Sequence, residues 1–124
     1  MWPVDFVNSV DAFESHLQGV RNVVDFSVAA AKRPSILFPS SIGAASYWSK
    51  QYPEKLVPET PIHDLAVAAL GYGESKLVSE LFLEKAGQIC GTHSTVLRIG
   101  HIAGPIGEDG LWNTDEWIPM VGQP

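Results

Sequence analysis

Val10, Phe13, Leu17, Val20, Val23, Val24 and Val28 recur at steps of three and four residues. That spacing puts them on one face of an amphipathic helix running from about 10 to 32. Ser9 stands at its N-cap, and Ala12 rather than Glu or Gln follows three residues later, so the cap is partial. Lys32 and Arg33 suit the carbonyl end of a helix, and Pro34 marks the stop. Residues 35–39 form a short apolar run bounded by turn residues, which suits a buried parallel strand. Ser40-Ser41-Ile42-Gly43 then leaves the strand's carboxyl end. Residues 46–62 interleave Pro53, Pro58 and Pro61 with Tyr47, Trp48 and Tyr52, and predict a long irregular loop. A second helix begins between 64 and 72 and runs to about Gln88. Leu77, Leu81, Phe82 and Ala86 give it an apolar face, and Gly91 is placed to end it. Residues 95–99 are the second strand candidate. After it, Gly100, Gly104, Pro105, Gly107 and Gly110 deny regular structure. The order helix, strand, loop, helix, strand predicts an α/β fold with a doubly wound parallel sheet.

Composition narrows the function classes. The chain has 124 residues, 45% hydrophobic and 18% charged, the balance of a globular protein. A net charge of -6 with only 8 Lys and Arg, none clustered, gives nucleic-acid binding no support. A single cysteine, Cys90, excludes an internal disulfide framework and reads as a small semi-buried residue near a helix end. The four histidines (16, 63, 93 and 101) lack metal-ligand spacing, so no metal is expected. No apolar run approaches the ~20 residues that span a bilayer, and the start lacks the pattern of a signal peptide. A cytoplasmic protein without membrane contact is the expectation.

The candidate chemistry lies on the second helix. Tyr72 and Lys76 are four residues apart and share a helix face. A phenol ordinarily titrates near ~10. A neighbouring ammonium stabilises the phenolate, which makes proton donation and uptake near neutral pH feasible. Ser41, at a strand's carboxyl end, adds a hydroxyl at the edge where open α/β sheets bind ligands. Tyr-x-x-x-Lys alone is common by chance; the 31-residue separation from Ser41 and the intervening strand-loop-helix pattern make it more specific. Arg98 reads as one half of a structural ion pair. Glu80 and Glu84 read as a solvated face. Trp112 and Trp117 read as lining a substrate entrance or an exposed apolar edge.

Several stretches resemble one family, the extended short-chain dehydrogenase/reductases, and within it the thioester reductase domains of nonribosomal peptide synthetase-like proteins and carboxylic acid reductases. Gly71-Tyr-Gly-Glu-Ser-Lys-Leu-Val-Ser-Glu80 resembles their active-site helix. Phe38-Pro-Ser-Ser-Ile-Gly43 is similar to the strand carrying their catalytic Ser or Thr, matching Ser41, with Ser40 as runner-up. Val96-Leu-Arg-Ile-Gly-His-Ile-Ala-Gly-Pro105 is similar to the strand and turn beside the nicotinamide. Gly110-Leu-Trp-Asn-Thr-Asp-Glu-Trp-Ile-Pro119 resembles a signature of fungal reductase domains, and Trp2-Pro-Val-Asp-Phe6 the segment after the fourth strand. Two departures stand out. The Gly-rich dinucleotide fingerprint is absent, and His16 occupies the place of a family Asn on the preceding helix.

The resemblance implies a partial Rossmann-type doubly wound parallel sheet. Residues 1–124 would be an internal piece of a reductase domain, lacking the N-terminal βαβ units and the C-terminal substrate lobe. It implies NADPH-dependent reduction of an acyl or peptidyl thioester, held on a carrier protein, to an aldehyde or alcohol. Ser41, Tyr72 and Lys76 would be catalytic. Tyr72, Lys76, Gly100, Ile102, Gly104 and Pro105 would contact NADP(H). On this reading the isolated chain is inactive. Two alternatives stay open: an extended short-chain reductase acting on a free carbonyl or nucleotide sugar, and a truncated chain without catalysis, at most an interaction module.

Overall fold

The computed structural model describes residues 9–102. The expectations for residues 1–8 and for Gly104, Pro105, Trp112 and Trp117 lie outside them. Helix α1 (Glu14–Ala29) is preceded by a 3-10 turn, Val10–Phe13. The helix is thus shorter at both ends than the apolar pattern predicts. Ser9 sits at the N-cap of that turn but makes no side-chain cap bond. At the other end the Ser27 hydroxyl donates to the Pro34 carbonyl (2.7 Å). This anchors the chain where proline disfavours helix in the residue before it, and Arg33 adopts a positive φ of 41°.

Strand β1 (Ile36–Ser41) carries both serines. A 3-10 turn, Ile42–Ala45, follows. The expected irregular loop contains a short helix, α2 (Trp48–Gln51), and a further 3-10 turn, Leu65–Val67. Stacked Trp48 and Tyr52 organise it (ring centroids 4.4 Å), with Trp48 Nε1 donating to the Lys55 carbonyl and Tyr52 Oη to Asp64. Helix α3 (Leu70–Cys90) ends at Gly91, whose φ of 68° is the left-handed cap that glycine allows. Cys90, expected semi-buried, is exposed.

Strand β2 (Ser94–Ile99) pairs parallel to β1, from Ile36 opposite Ser94 to Ser41 opposite Ile99. The described residues thus form a two-stranded parallel part of a Rossmann-like α/β sheet. One face of it packs on helices through Ile36, Phe38 and Val96. On the other face Leu37, Leu97 and Ile99 are exposed. Two apolar clusters meet α3. One joins Leu77 to Ala44, Ala45, Ile62, Val67 and Ala68; the other joins Leu83 and Ala86 to Val24 and Ile36. Leu83 replaces the expected Phe82 as the buried residue of that turn.

Candidate active site

Ser41 is the last residue of β1, and its Oγ accepts a hydrogen bond from the Gly43 N–H (3.1 Å). That bond leaves the hydroxyl proton free to donate elsewhere. The turn after it presses directly on α3. A Cβ at Gly73 would lie 2.4 Å from the Gly43 carbonyl oxygen, a distance no side chain tolerates. Glycine inside a helix costs about 0.5–1 kcal/mol relative to alanine; here it allows the approach that sets the site. A Cβ at Gly43 would meet Ser41 Oγ at 3.4 Å and the Tyr72 ring at 3.8 Å. Serine and tyrosine therefore flank the same glycine.

Lys76 lies one turn further along α3. Its Nζ donates to the Pro39 carbonyl (3.0 Å) and sits 5.6 Å from the Tyr72 ring centroid and 5.0 Å from that of Phe38. Burial pushes the Lys76 pKa down, while the nearby Glu80 carboxylate acts in the opposite direction. Phe13 touches both Tyr72 (6.0 Å between centroids) and the exposed His16 (5.5 Å), so the anomalous histidine reaches the tyrosine's neighbourhood through one shared ring.

Ser40 and Ser41 have different partners. Ser40 is buried, and its hydroxyl donates to the Glu80 carboxylate. Glu80 is only 4% exposed, so the expected solvated face is wrong at this position. The carboxylate is held by Arg98, which donates from Nη2 (2.7 Å) and Nε (3.0 Å) to the same oxygen. Arg98 Nη1 also donates to the Pro58 carbonyl (2.8 Å). The structural ion pair expected for Arg98 is present, and it ties β1, α3, β2 and the 52–62 segment at one buried node. Glu84 is half-buried, 3.5 Å from His63 Nε2. Among the described residues no cluster of His, Cys, Asp and Glu could hold a metal ion, and no helix is long and apolar enough to cross a membrane.

The site opens onto a groove of about 1590 Å³, lined among others by Ser41, Tyr72, Gly100 and His101. Gly100 follows Ile99, the register partner of Ser41, so it leaves the sheet at the same edge. Among the described residues a Cβ there would meet nothing within 4 Å, and Ile102 is exposed. Lys76 has three donors, one of which Pro39 takes. Backbone at Gly100 and the lysine's donors lie at the sheet's carboxyl edge, where such sheets bind ligands, and could hold a nicotinamide ribose.

Sequence reasoning missed Gly73 and Leu70. The signal for Gly73 was a glycine inside a helix. Leu70 begins α3 at φ 59°. A left-handed backbone costs a residue bearing a Cβ roughly 1–2 kcal/mol, and no periodicity could have revealed it.

Residues 3–122 match the model of an NAD-binding family described as "Male sterility protein". The chain is 47% identical over 120 residues to a carboxylic acid reductase of Neurospora crassa, covering 97% of this chain and 11% of that protein. It is 38% identical to adenylate-forming reductases of Heterobasidion annosum over 122 residues and of Serpula lacrymans over 125, again covering 97% of this chain and 11% of each relative. It thus spans about a tenth of the length of these relatives. A match over nearly the whole chain, on a parallel α/β sheet with Ser41, Tyr72 and Lys76 gathered at one edge, assigns the chain to the NAD-binding male sterility protein family, within the extended short-chain dehydrogenase/reductases.

Proposed function

We propose that residues 1–124 act as part of a larger reductase domain and supply its proton-donating site. The reaction is NADPH-dependent reduction of an acyl or peptidyl thioester, carried on a carrier protein, to an aldehyde or alcohol. The observation that carries this reading is the convergence of Ser41 and Tyr72 on one glycine contact, with Lys76 one turn away, in a chain related to carboxylic acid and adenylate-forming reductases.

The nicotinamide, when bound, supplies the hydride to the thioester carbonyl carbon. Tyr72 donates its phenolic proton to the oxygen on which charge develops. Ser41, with its Oγ already accepting from Gly43, donates its proton in a hydrogen bond to that same oxygen. Such donors contribute most where charge builds up in the transition state. Lys76 is held by the Pro39 carbonyl, stabilises the phenolate and directs its remaining donors to the ribose hydroxyls. Loss of the thiol then leaves the aldehyde. Backbone at Gly100 and Ile102 would flank the nicotinamide; Gly104 and Pro105, expected with them from the resemblance, lie outside the described residues.

The test is a single-turnover assay of the complete reductase with a carrier-bound acyl thioester and NADPH, with any aldehyde trapped as an oxime. One NADPH consumed per oxime formed supports the reading. Turnover of free ketones or nucleotide sugars, with none of the thioester, overturns it.

A further inference from the structure

Leu70 combines two features that folding alone does not favour. It opens α3 with a backbone φ of 59°, and its apolar side chain is 52% exposed. Among the described residues the other two with a Cβ at positive φ, Arg33 and Glu54, lie just after helices, where the chain must reverse. Leu70 has no such excuse, because it leads directly into Gly71-Tyr72. Strain of this kind persists when the surrounding structure holds it, and it gathers at functional sites.

The exposed side chain lies in a defined place. Leu70 lines the same groove as Ser41 and Tyr72, together with Ile42 and Val57. Ile42 is 56% exposed and Val57 46%. The three come from separate segments: the turn after β1, the 52–62 segment and the start of α3. Pro58, next to Val57, is tied through its carbonyl to Arg98, so this segment is anchored to the sheet.

We propose that Leu70 is a specificity-determining residue, held in a strained backbone so that it forms, with Ile42 and Val57, an apolar gauge for the acyl chain of the substrate. The inference rests on the thioester reductase reading, since it requires the reacting carbonyl at Ser41 and Tyr72. An occupant with its carbonyl there shares the groove with Ile42, next to Ser41 in sequence, and Leu70, two residues before Tyr72. Alkyl groups gain from covering these side chains, whereas the amide-rich pantetheine arm would leave its polar groups facing them.

The test compares the complete reductase with its Leu70→Gly and Leu70→Ala variants, using octanoyl- and acetyl-pantetheine thioesters with NADPH. Both substitutions remove the gauge, but only glycine relieves the backbone. The octanoyl-to-acetyl ratio of kcat/KM should fall roughly tenfold in both. Leu70→Gly should melt at or above the parent's temperature, and above Leu70→Ala. A ratio within twofold of the parent overturns the proposal. So does a loss of activity equal for both thioesters and accompanied by a lower melting temperature in Leu70→Gly, which would mark a purely structural role. If the parent reduces neither thioester, the reading beneath the proposal fails with it. A parent that reduces both, with an unmoved ratio in the variants, overturns the gauge alone.

Discussion

The two halves of α3 are fixed to the rest of the molecule by different means. The carboxyl half offers Leu83 and Ala86 to Val24 and Ile36, apolar side chain against apolar side chain. The amino half buries Gly71, Gly73 and Ser75, and Gly73 meets the Gly43 backbone with no room for a methyl group. Glu80, bound to Arg98 and Ser40, lies in sequence between Leu77 of one cluster and Leu83 of the other. Apolar packing tolerates exchange of similar shapes, but a backbone approach does not. A reactive constellation needs positions held to a fraction of an ångström, and the half fixed by backbone contact is the one bearing the proposed pair, Tyr72 and Lys76.

The largest effect expected on this contrast comes from the node between the halves. Arg98→Met leaves the Glu80 carboxylate buried without its cation, which typically costs about 3–5 kcal/mol. Denaturant unfolding should report that loss, and protection of the 52–62 amides from hydrogen exchange should fall with it, because Pro58 loses its tether. In the carboxyl half, Leu83→Ala should cost about 2–5 kcal/mol, whereas Leu83→Met should cost less than about 1.5 kcal/mol. Gly73→Ala adds only one methyl group, but against backbone, so its cost should lie at or above the top of the usual overpacking range, about 3 kcal/mol or more. Its turnover should nevertheless fall further than its stability, because the Gly43 turn carrying Ser41 must move. If Gly73→Ala proved as harmless as Leu83→Met, the two halves would not differ as described.

The smallest effect lies away from the helix, in the Tyr52–Asp64 contact. The Tyr52 hydroxyl donates to Asp64 (2.7 Å), which holds the carboxyl below its usual range and raises the phenol above its own. The carboxylate contribution is present above its unfolded pKa of about 3.9 and is lost as pH falls through the lower folded value. The phenol contribution is present below about 10 and is lost as pH rises through the raised folded value. The melting-temperature gap between the parent and Tyr52→Phe should therefore be widest in the plateau between these limits and close on both sides.

Much of the fold was legible because it rests on local rules. The apolar steps of α1, the run that became β1, and Gly91 as the stop of α3 follow from periodicity and backbone freedom. Ser41, Tyr72 and Lys76 were readable as types and spacings; in the structure Ser41 and Tyr72 flank Gly43, and Lys76 Nζ lies 5.6 Å from the Tyr72 ring centroid. What remained hidden depends on partners distant in sequence. Glu80 looks like any charged helix residue until Arg98, 18 residues on, arrives beside it. Ser40 and Ser41 differ only in which face of β1 they occupy, and that is decided when α3 packs. Leu70's positive φ belongs to no composition rule. The 46–62 segment read as irregular because its order comes from one aromatic stack and a carboxylate, not from a repeat.

The central claim is that the rigid half of α3 presents Tyr72 as the proton donor. Single-turnover hydride transfer in the complete reductase, comparing the parent with Tyr72→Phe, tests it most directly. The phenyl ring keeps the contact with Phe13 and removes only the hydroxyl. A fall of about 10²–10⁴-fold in the transfer rate, with thioester KM within threefold of the parent, is the predicted result. A Tyr72→Phe variant that transfers hydride within tenfold of the parent rate would contradict the account.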